Sequence, residues 1–484
     1  MKKRFALSLA LLAGLAVGAT SANAASIKAT GSWQVDAALR SENDFNANSN
    51  ADDNKFSIGQ RMRTKFEFIA NENLKGVLET QIGTNSWGNG LYQISAGRTP
   101  NSTATGALAA GNGNLILRKG YVDFKWPNTK VNFLVGYQSL SLPAAFGLGS
   151  PILDDHFAAA AAVVPVTDNL SLVGGYARPY DANNFGSTSS LRNVSGTSTD
   201  AAFLYANLDF TGFKVQPFFA YGYAGSNTGG AGVGANLLGG MAAPTTGTAY
   251  GTRAYWGGAA FTMTALDPFK VMADVNFGKA TYNGAARQDS GRGGWLADIA
   301  VDYTGLSMMT PEVFFAYSSG ENKDGSKSER MPVLSAENWA YGSFWMQGGD
   351  TLNTSYTAPG STLAQGNPNS NLGFWAAGLS LKDIKLIDKL SHTVHFIYFK
   401  GTNAKEVATM ANTSGYGQLL TTKDSLFEVD LNSKYQIYEE LSLGLELGYI
   451  NADFDKNVWA AAGADRDKLS KDAYKAVFML NYSF

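Results

Sequence analysis

Over most of its length the chain alternates, with apolar or aromatic residues at every second position and polar or charged residues between them. In 27–40, Ile27, Ala29, Gly31, Trp33, Val35, Ala37 and Leu39 share one parity, and Lys28, Thr30, Ser32, Gln34, Asp36 and Arg40 share the other. Side chains point to opposite faces of a strand, so each such run is a ribbon with one greasy and one hydrophilic face. The run from Phe56 to Ala70 sets Ile58, Met62, Phe66 and Phe68 against Arg61, Arg63, Lys65 and Glu67. Charges on a regular face need water beside them, because burying them unpaired is prohibitive. If the greasy faces meet lipid, that water must lie inside a closed barrel. A soluble sandwich would need a second sheet to cover so many greasy faces of one length. No short fixed repeat of a solenoid is present.

A helical membrane protein is excluded by length. Beyond the N-terminus the longest apolar run, Phe157 to Val166, falls far short of the ~18 residues a spanning helix needs. A closed barrel is the other structure that satisfies every backbone group in lipid. Residues 1–24 read as a secretory signal: Lys2, Lys3 and Arg4, an apolar stretch Phe5 to Val17, then Ala22-Asn23-Ala24 as a cleavage site. One barrel domain, 25–484, is expected to follow. Loss of those three cations takes the formal net charge from −2 to −5, which argues against a nucleic-acid partner. The absence of cysteine leaves burial and hydrogen bonding to stabilise an exported chain.

Turn-forming sequences and long polar segments take turns along the chain. Short turns are predicted at 71–73, 127–129, 167–169, 211–212, 267–268, 305–307, around Asp383 and around Glu439-Glu440. Long loops are predicted at 41–54, 84–114, 139–156, 179–199, 224–250, 281–293, 319–370, 402–423 and 454–471. Nine loops imply eighteen strands, or sixteen if two weak runs are not strands. Tight turns at one rim and long loops at the other are the layout of outer-membrane barrels, with the turns in the periplasm. Faces in 201–210 and 371–382 stay unassigned. In the last stretch, Tyr474, Ala476, Phe478, Leu480, Tyr482 and Phe484 form the greasy face. Such a strand suits closure against the first, and Tyr482 and Phe484 resemble the C-terminal assembly signal of outer-membrane barrels.

Alternation assigns the lumen a mixed set of charges: Lys125, Lys214, Lys270 and Lys475 against Glu67, Asp123, Asp274, Asp298, Asp302, Glu312, Glu428, Asp430 and Glu446. Arg61, Arg63 and Lys65 form a basic row. An opposing acidic element is offered by 139–155, a segment rich in apolar residues, Pro and Gly that ends in Asp154 and Asp155 and suits folding inward. Phe157 to Val166 is apolar on both faces, which predicts an inner face covered by that loop, with Ala160 shielded from the pore, or, as the alternative, an outer face packed on a neighbouring subunit. Gly230 to Ala235 matches a dinucleotide-binding spacing as text only, with no strand before it. The Asn/Asp-rich 43–54 lacks ordered calcium-loop spacing. His392 and His395 point to opposite faces of a strand, so no hydrolase constellation emerges. No cofactor or metal site is expected.

The signal, the first strand, the inward third loop after strand five, the basic row and the terminal Phe together resemble the general bacterial porins. The mature chain is similar to the outer-membrane homotrimeric porin family of sulfate-reducing bacteria. That resemblance implies a Gram-negative outer-membrane homotrimer of water-filled barrels, delivered by the barrel assembly machinery and set among lipid and lipopolysaccharide. On the matching positions Arg61, Arg63 and Lys65 would be the basic wall of a constriction, and Asp154 and Asp155 its loop carboxylates. The expected function is passive, non-enzymatic diffusion of small hydrophilic solutes and ions. The alternatives are a sugar- or organic-anion-selective channel and a structural or adhesion barrel. The family's usual sixteen strands differ from the eighteen read here.

Overall fold

The computed structural model describes residues 26–41, 45, 54–87, 115–147, 149–181, 196–225, 251–283, 291–323, 329–336, 341–346, 352, 373–409 and 419–484. The signal segment 1–24, Gly230 to Ala235 and nearly all of 43–54 lie outside them. The alternating runs form β1 (Ser26–Ser41), β2 (Asn54–Asn71), β3 (Leu74–Ser86), β4 (Leu115–Lys125), β5 (Asn132–Ser141) and β6 (Leu153–Pro165). They continue as β7 (Leu170–Asp181), β8 (Ser198–Phe210), β9 (Phe213–Ala224), β10 (Gly251–Leu266), β11 (Phe269–Asn283), β12 (Arg292–Tyr303) and β13 (Thr310–Ser318). After the two-residue β14 (Ser335–Ala336) come β15 (Phe374–Ile387), β16 (Leu390–Gly401), β17 (Ser425–Gln436), β18 (Leu441–Asp453) and β19 (Ala473–Ser483). Apart from β14, each strand pairs antiparallel with its neighbours in the chain, with β13 joined to β15 and β19 to β1. The result is a closed barrel of eighteen long strands.

Closure follows the last strand's alternation. Ser32 faces Ser483 and the register runs unbroken to Arg40 opposite Lys475. Gly31 and Phe484 extend it, exchanging N–H···O bonds of 2.8 and 3.0 Å. Phe478 is 51% exposed on the outer face, while its neighbour Val477 is 0% exposed on the inner one. Any side chain at Gly31 would collide with the Phe484 ring.

Seven of the predicted turns join the strands as expected, but the eighth is displaced. Asp383 has φ of 54° inside β15, at a register shift between Leu381 and Ile384, so it is a bulge. The hairpin turns instead at Asp388-Lys389, where Lys389 takes φ of 62°. An Asp in the left-handed region resembles a turn locally, yet the strand continues through it. The unassigned stretches become β8, with Ala201 and Phe203 buried and Leu204 exposed, and β15.

The outer surface has aromatic contacts at both rims. Phe269 and Tyr303 meet at 5.2 Å at the turn end of β11 and β12. At the loop end Trp295 stacks on Tyr317 at 4.5 Å, and Trp375 lies 5.4 Å from Tyr398. Between them run Val275, Ile299, Val313 and Phe315, all exposed. This is the apolar band with two girdles that a barrel presents to lipid.

Candidate functional site in the barrel lumen

Among the described residues, two inward segments shape the lumen. The first links β5 to β6. Leu142, Ile152 and Leu153 are buried, and the tip crosses to the far wall, where Ala145 and Phe146 donate their backbone N–H groups to the Asp274 carboxylate at 2.9–3.0 Å. The Phe146 ring stacks on Tyr341 at 5.2 Å and tilts against Phe314 at 5.4 Å. At the base of the loop, a Cβ on Gly149 would stand 2.1 Å from an Asp154 carboxylate oxygen, so only glycine permits that approach.

The second inward segment belongs to the long connection between β13 and β15. Its first part packs under the loop rim, where Arg330 pairs with Glu321 at 2.9 Å, both almost fully buried. Arg292 donates to the carbonyls of Arg330 and Met331, and Trp256 to that of Pro332. Leu334 N–H donates to Ile152 carbonyl, and β14 runs parallel to Leu153 and Asp154, so the two inward segments brace one another. Farther on, Tyr341-Gly-Ser-Phe-Trp-Met346 turns against β17. Ser343 N–H donates to Asp430 at 2.7 Å, and Phe344 and Trp345 N–H donate to Glu428 at 3.1 and 2.8 Å. Gly342, with φ of 66°, leaves no room for a Cβ between those two carboxylates. Lys475 donates to Ser343 carbonyl and to Glu446 at 2.8 Å. Asp36 accepts from Leu352 N–H. Tyr341 donates to Asp298 at 3.1 Å; burial, reinforced by that carboxylate's charge, holds its phenol well above the ordinary tyrosine range and keeps it a donor.

The predicted luminal acids therefore divide. Asp274, Asp298, Asp302, Glu312, Glu428, Asp430, Glu446 and the cation Lys475 are on the inward face but are covered, each at or below 5% exposure. They were expected to line open water. Instead Asp274, Glu428 and Asp430 hold inward backbone, Asp298 takes the Tyr341 hydroxyl and Glu446 the Lys475 ammonium, because a carboxylate inside the barrel can recover its lost hydration from donors of the protein itself. Asp302 and Glu312 both pair with Lys382 at 2.7 Å. Lys214, Lys270, Asp302, Glu312 and Lys382 line a cavity of about 650 Å³ bordered by the third loop and the Phe146, Phe314 and Tyr341 rings. Glu67 and Asp123 share Lys75 nearer the turn rim, and Lys125 stands exposed at the turn end of β4.

A second cavity, about 630 Å³, lies against β1 to β4. Arg63 and Lys65 line it together with Asp154, Asp155, Glu79, Arg118, Lys119 and His156. Arg61 stands one inward position closer to the loop rim, donates to Gln34 at 3.4 Å, and is not among the lining residues. Arg63 donates to Gln81 at 2.8 Å, and Glu79 bridges Arg118 and Lys119 at 3.0 and 2.9 Å. Arg118 and Lys119 escaped sequence reasoning because a register shift at Glu79/Thr80 breaks the alternation, so two successive cations reach one carboxylate. Lys382 was missed because it falls in a stretch left without faces. The aromatic run 341–346, too apolar for a loop in water, was the available signal for the second inward segment.

In β6 the inner face is Phe157, Ala159 and Ala161, buried in one apolar cluster with Leu142 and Ile152. Ala160 is opposite Val135 on the outward face and is exposed, so it does not report on the pore. His392 meets Ser433 at 2.7 Å and His395 meets Ser380 at 2.9 Å.

A closed eighteen-stranded antiparallel barrel with short turns at one rim, long loops at the other and loop segments inside is the fold of an outer-membrane porin. Solved porins share it across nearly their whole length. The BenF-like porin from Pseudomonas fluorescens Pf-5 superposes with a TM-score of 0.52 at 10% identity, over 95% of this chain and 98% of that one. OprD from Pseudomonas aeruginosa gives 0.51 at 13% identity, over 94% of each chain. Acinetobacter baumannii OccAB3 gives 0.51 at 11% identity, over 94% of this chain and 99% of that one. No family model and no curated protein matches the sequence.

Proposed function

We propose that this protein is an outer-membrane porin, a water-filled channel for passive diffusion of small hydrophilic solutes and ions. The observation that carries the reading is the pair of charge-lined cavities left beside the inward loops of a closed barrel whose outer face is greasy. In the cavity along β1 to β4, Arg63 and Lys65 form the basic side and Asp154 and Asp155 the acidic side of a constriction. Opposed charges across a narrow, low-dielectric throat orient dipolar solutes and hinder apolar ones. Arg118 and Lys119 extend the basic side, while Arg61 stands outside it. The protein works without catalysis or a cofactor.

The finer reading follows the resemblance of the sequence to the homotrimeric porins of sulfate-reducing bacteria. The barrel assembles as a trimer, guided by Tyr482 and Phe484 through the assembly machinery, after removal of residues 1–24. Planar-bilayer recording of the purified protein tests this. Ohmic openings in triplets are expected, and a protein that inserts but never conducts would end the channel reading.

A selective channel is the second reading, favoured by the cavity where Phe146, Phe314 and Tyr341 form an aromatic wall beside Lys214 and Lys270. Proteoliposome swelling with size-matched neutral, anionic and cationic solutes separates the two. A general porin admits them by size, whereas a selective one favours one charge class.

A further inference from the structure

The third loop divides the lumen, and the cavities on its two sides differ in how far they reach. On the β1 to β4 side Arg61, Arg63, Lys65 and Glu67 succeed one another along β2, and all four stay partly open. The far side is blocked toward the loop rim. Among the described residues, every inward position is buried on β9 from Phe218 to Ala224 and on β11 from Met272 to Ala280. The same holds on β12 from Ala300 back to Arg292 and on β13 from Phe314 to Ser318. Packed inside that half of the barrel are Met331, Val333, Leu334, Tyr341, Phe344 and Trp345, each at or below 2% exposure.

The cavity of about 650 Å³ on the far side is therefore a cup whose mouth faces the turn rim. Lys214 and Lys270 are the second residues of β9 and β11, and Asp302 is the second from the end of β12. Lys382 stands across from Thr310, the first residue of β13. The inner end of the cup is apolar, made by Phe146 of the loop tip with Met272, Phe314 and Tyr341. Around the mouth three ammoniums meet two carboxylates. Lys382 answers both acids at 2.7 Å, whereas Lys214 and Lys270 make no ion pair among the described residues.

We propose that this cup is a blind binding site for a small organic monoanion with an apolar body, entered from the periplasm, and that solutes cross only on the β1 to β4 side. The anionic head accepts from Lys214 and Lys270, and the body lies against Phe146 and Met272. A single negative charge matches the one ammonium in excess, and a volume of this size is that of a small-molecule site. The occupant also packs on Ala144 and Ala145, which adds to the Asp274 clamp that keeps the third loop inward. The inference rests on the porin reading, with the turns in the periplasm, and goes beyond its selective form. There the cavity would conduct its solute; here it retains one.

The test uses the purified protein in detergent, with phenylacetate, its neutral amide and acetate as probes and calorimetry as the readout. Phenylacetate is expected to bind roughly tenfold or more tightly than either of the others, since only it offers both charge and body. K214A/K270A should weaken phenylacetate by roughly tenfold and leave the amide unchanged, while R63A/K65A should keep the parent's affinity. Saturating phenylacetate should raise the unfolding temperature of the parent and not that of K214A/K270A. In planar bilayers the parent's single-channel current should persist at saturating phenylacetate. Equal binding of phenylacetate and its amide, or equal binding by parent and K214A/K270A, would overturn the site. A current blocked in step with binding, and relieved in K214A/K270A, would overturn the blind cup and favour the selective channel. A parent that binds phenylacetate as expected but never conducts would instead count against the channel reading alone.

Discussion

The wall built by β2 to β4 and the wall built by β17 to β19 both carry luminal charge, yet they use it differently. On the first, Arg63, Lys65, Arg118 and Lys119 are paired with side chains and border a cavity, with Lys65 still 41% exposed. On the second, Glu428, Asp430 and Glu446 are almost completely covered, and their oxygens take backbone amides of 343–345 or the Lys475 ammonium. A luminal charge can therefore face solutes or hold the protein's own chain in the lumen. What separates the two is whether an inward segment reaches it.

The sharpest way to break that comparison is to remove the clamp. Glu428→Ala with Asp430→Ala leaves three buried amides without partners, at about 1–3 kcal/mol each. The inner turn should leave the lumen, raising single-channel conductance severalfold and lowering thermal stability; unchanged conductance would mean the clamp does not limit the pore. Asp274→Ala should act in the same direction on the third loop but more weakly, because it frees the amides of Ala145 and Phe146 only. Asp274→Asn, which keeps an acceptor, should recover most of the loss, as judged by the unfolding temperature in detergent.

Charge removal on the other wall should look different. Arg63→Ala with Lys65→Ala should shift the reversal potential in a salt gradient toward cation preference, with little change in stability. The shift should shrink as ionic strength rises, since these groups are half-exposed and screened. Should the Glu428/Asp430 variant change selectivity as much without changing conductance, the division between the walls would fail.

Weaker still is the seam. Phe484→Ala removes a ring stacked on Tyr482 at 5.7 Å and packed on Gly31, and should lower the yield of folded barrel while leaving its conductance intact.

The smallest effect belongs to the last loop, where helix α1 (Lys456–Ala461) is capped by Asp455, which accepts from Asn457 and Val458 N–H at 2.8 and 3.1 Å. The Val458 bond, joined by that of Asn457, holds this carboxyl below the ordinary aspartate range. Its contribution is therefore complete above the unfolded-state value and disappears as pH falls through the lowered one. Asp455→Ala should cost about 1 kcal/mol locally and abolish that acid-dependent step, read as faster amide exchange in the loop with the barrel unaffected.

Strand count, closure and the sidedness of nearly every stave were legible in the sequence. A two-residue period in side-chain direction is a local property, and lipid outside with water inside forces it to be written along each strand. The candidate site was legible only in part. Arg63, Lys65, Asp154 and Asp155 could be named from parity and loop composition. Arg118 and Asp383 could not be placed, because a bulge changes parity without any residue that must announce it. The inward fold of 139–155 was legible in its apolar, Pro- and Gly-rich composition, but which luminal side chains the inward segments cover was decided by tertiary structure. Asp274, Glu428 and Asp430 share the inward parity of Lys65, and whether such a residue meets a solute or a loop amide depends on chain lying more than eighty residues away. Alternation tells each side chain which way to face, and only the folded loops decide what it finds there.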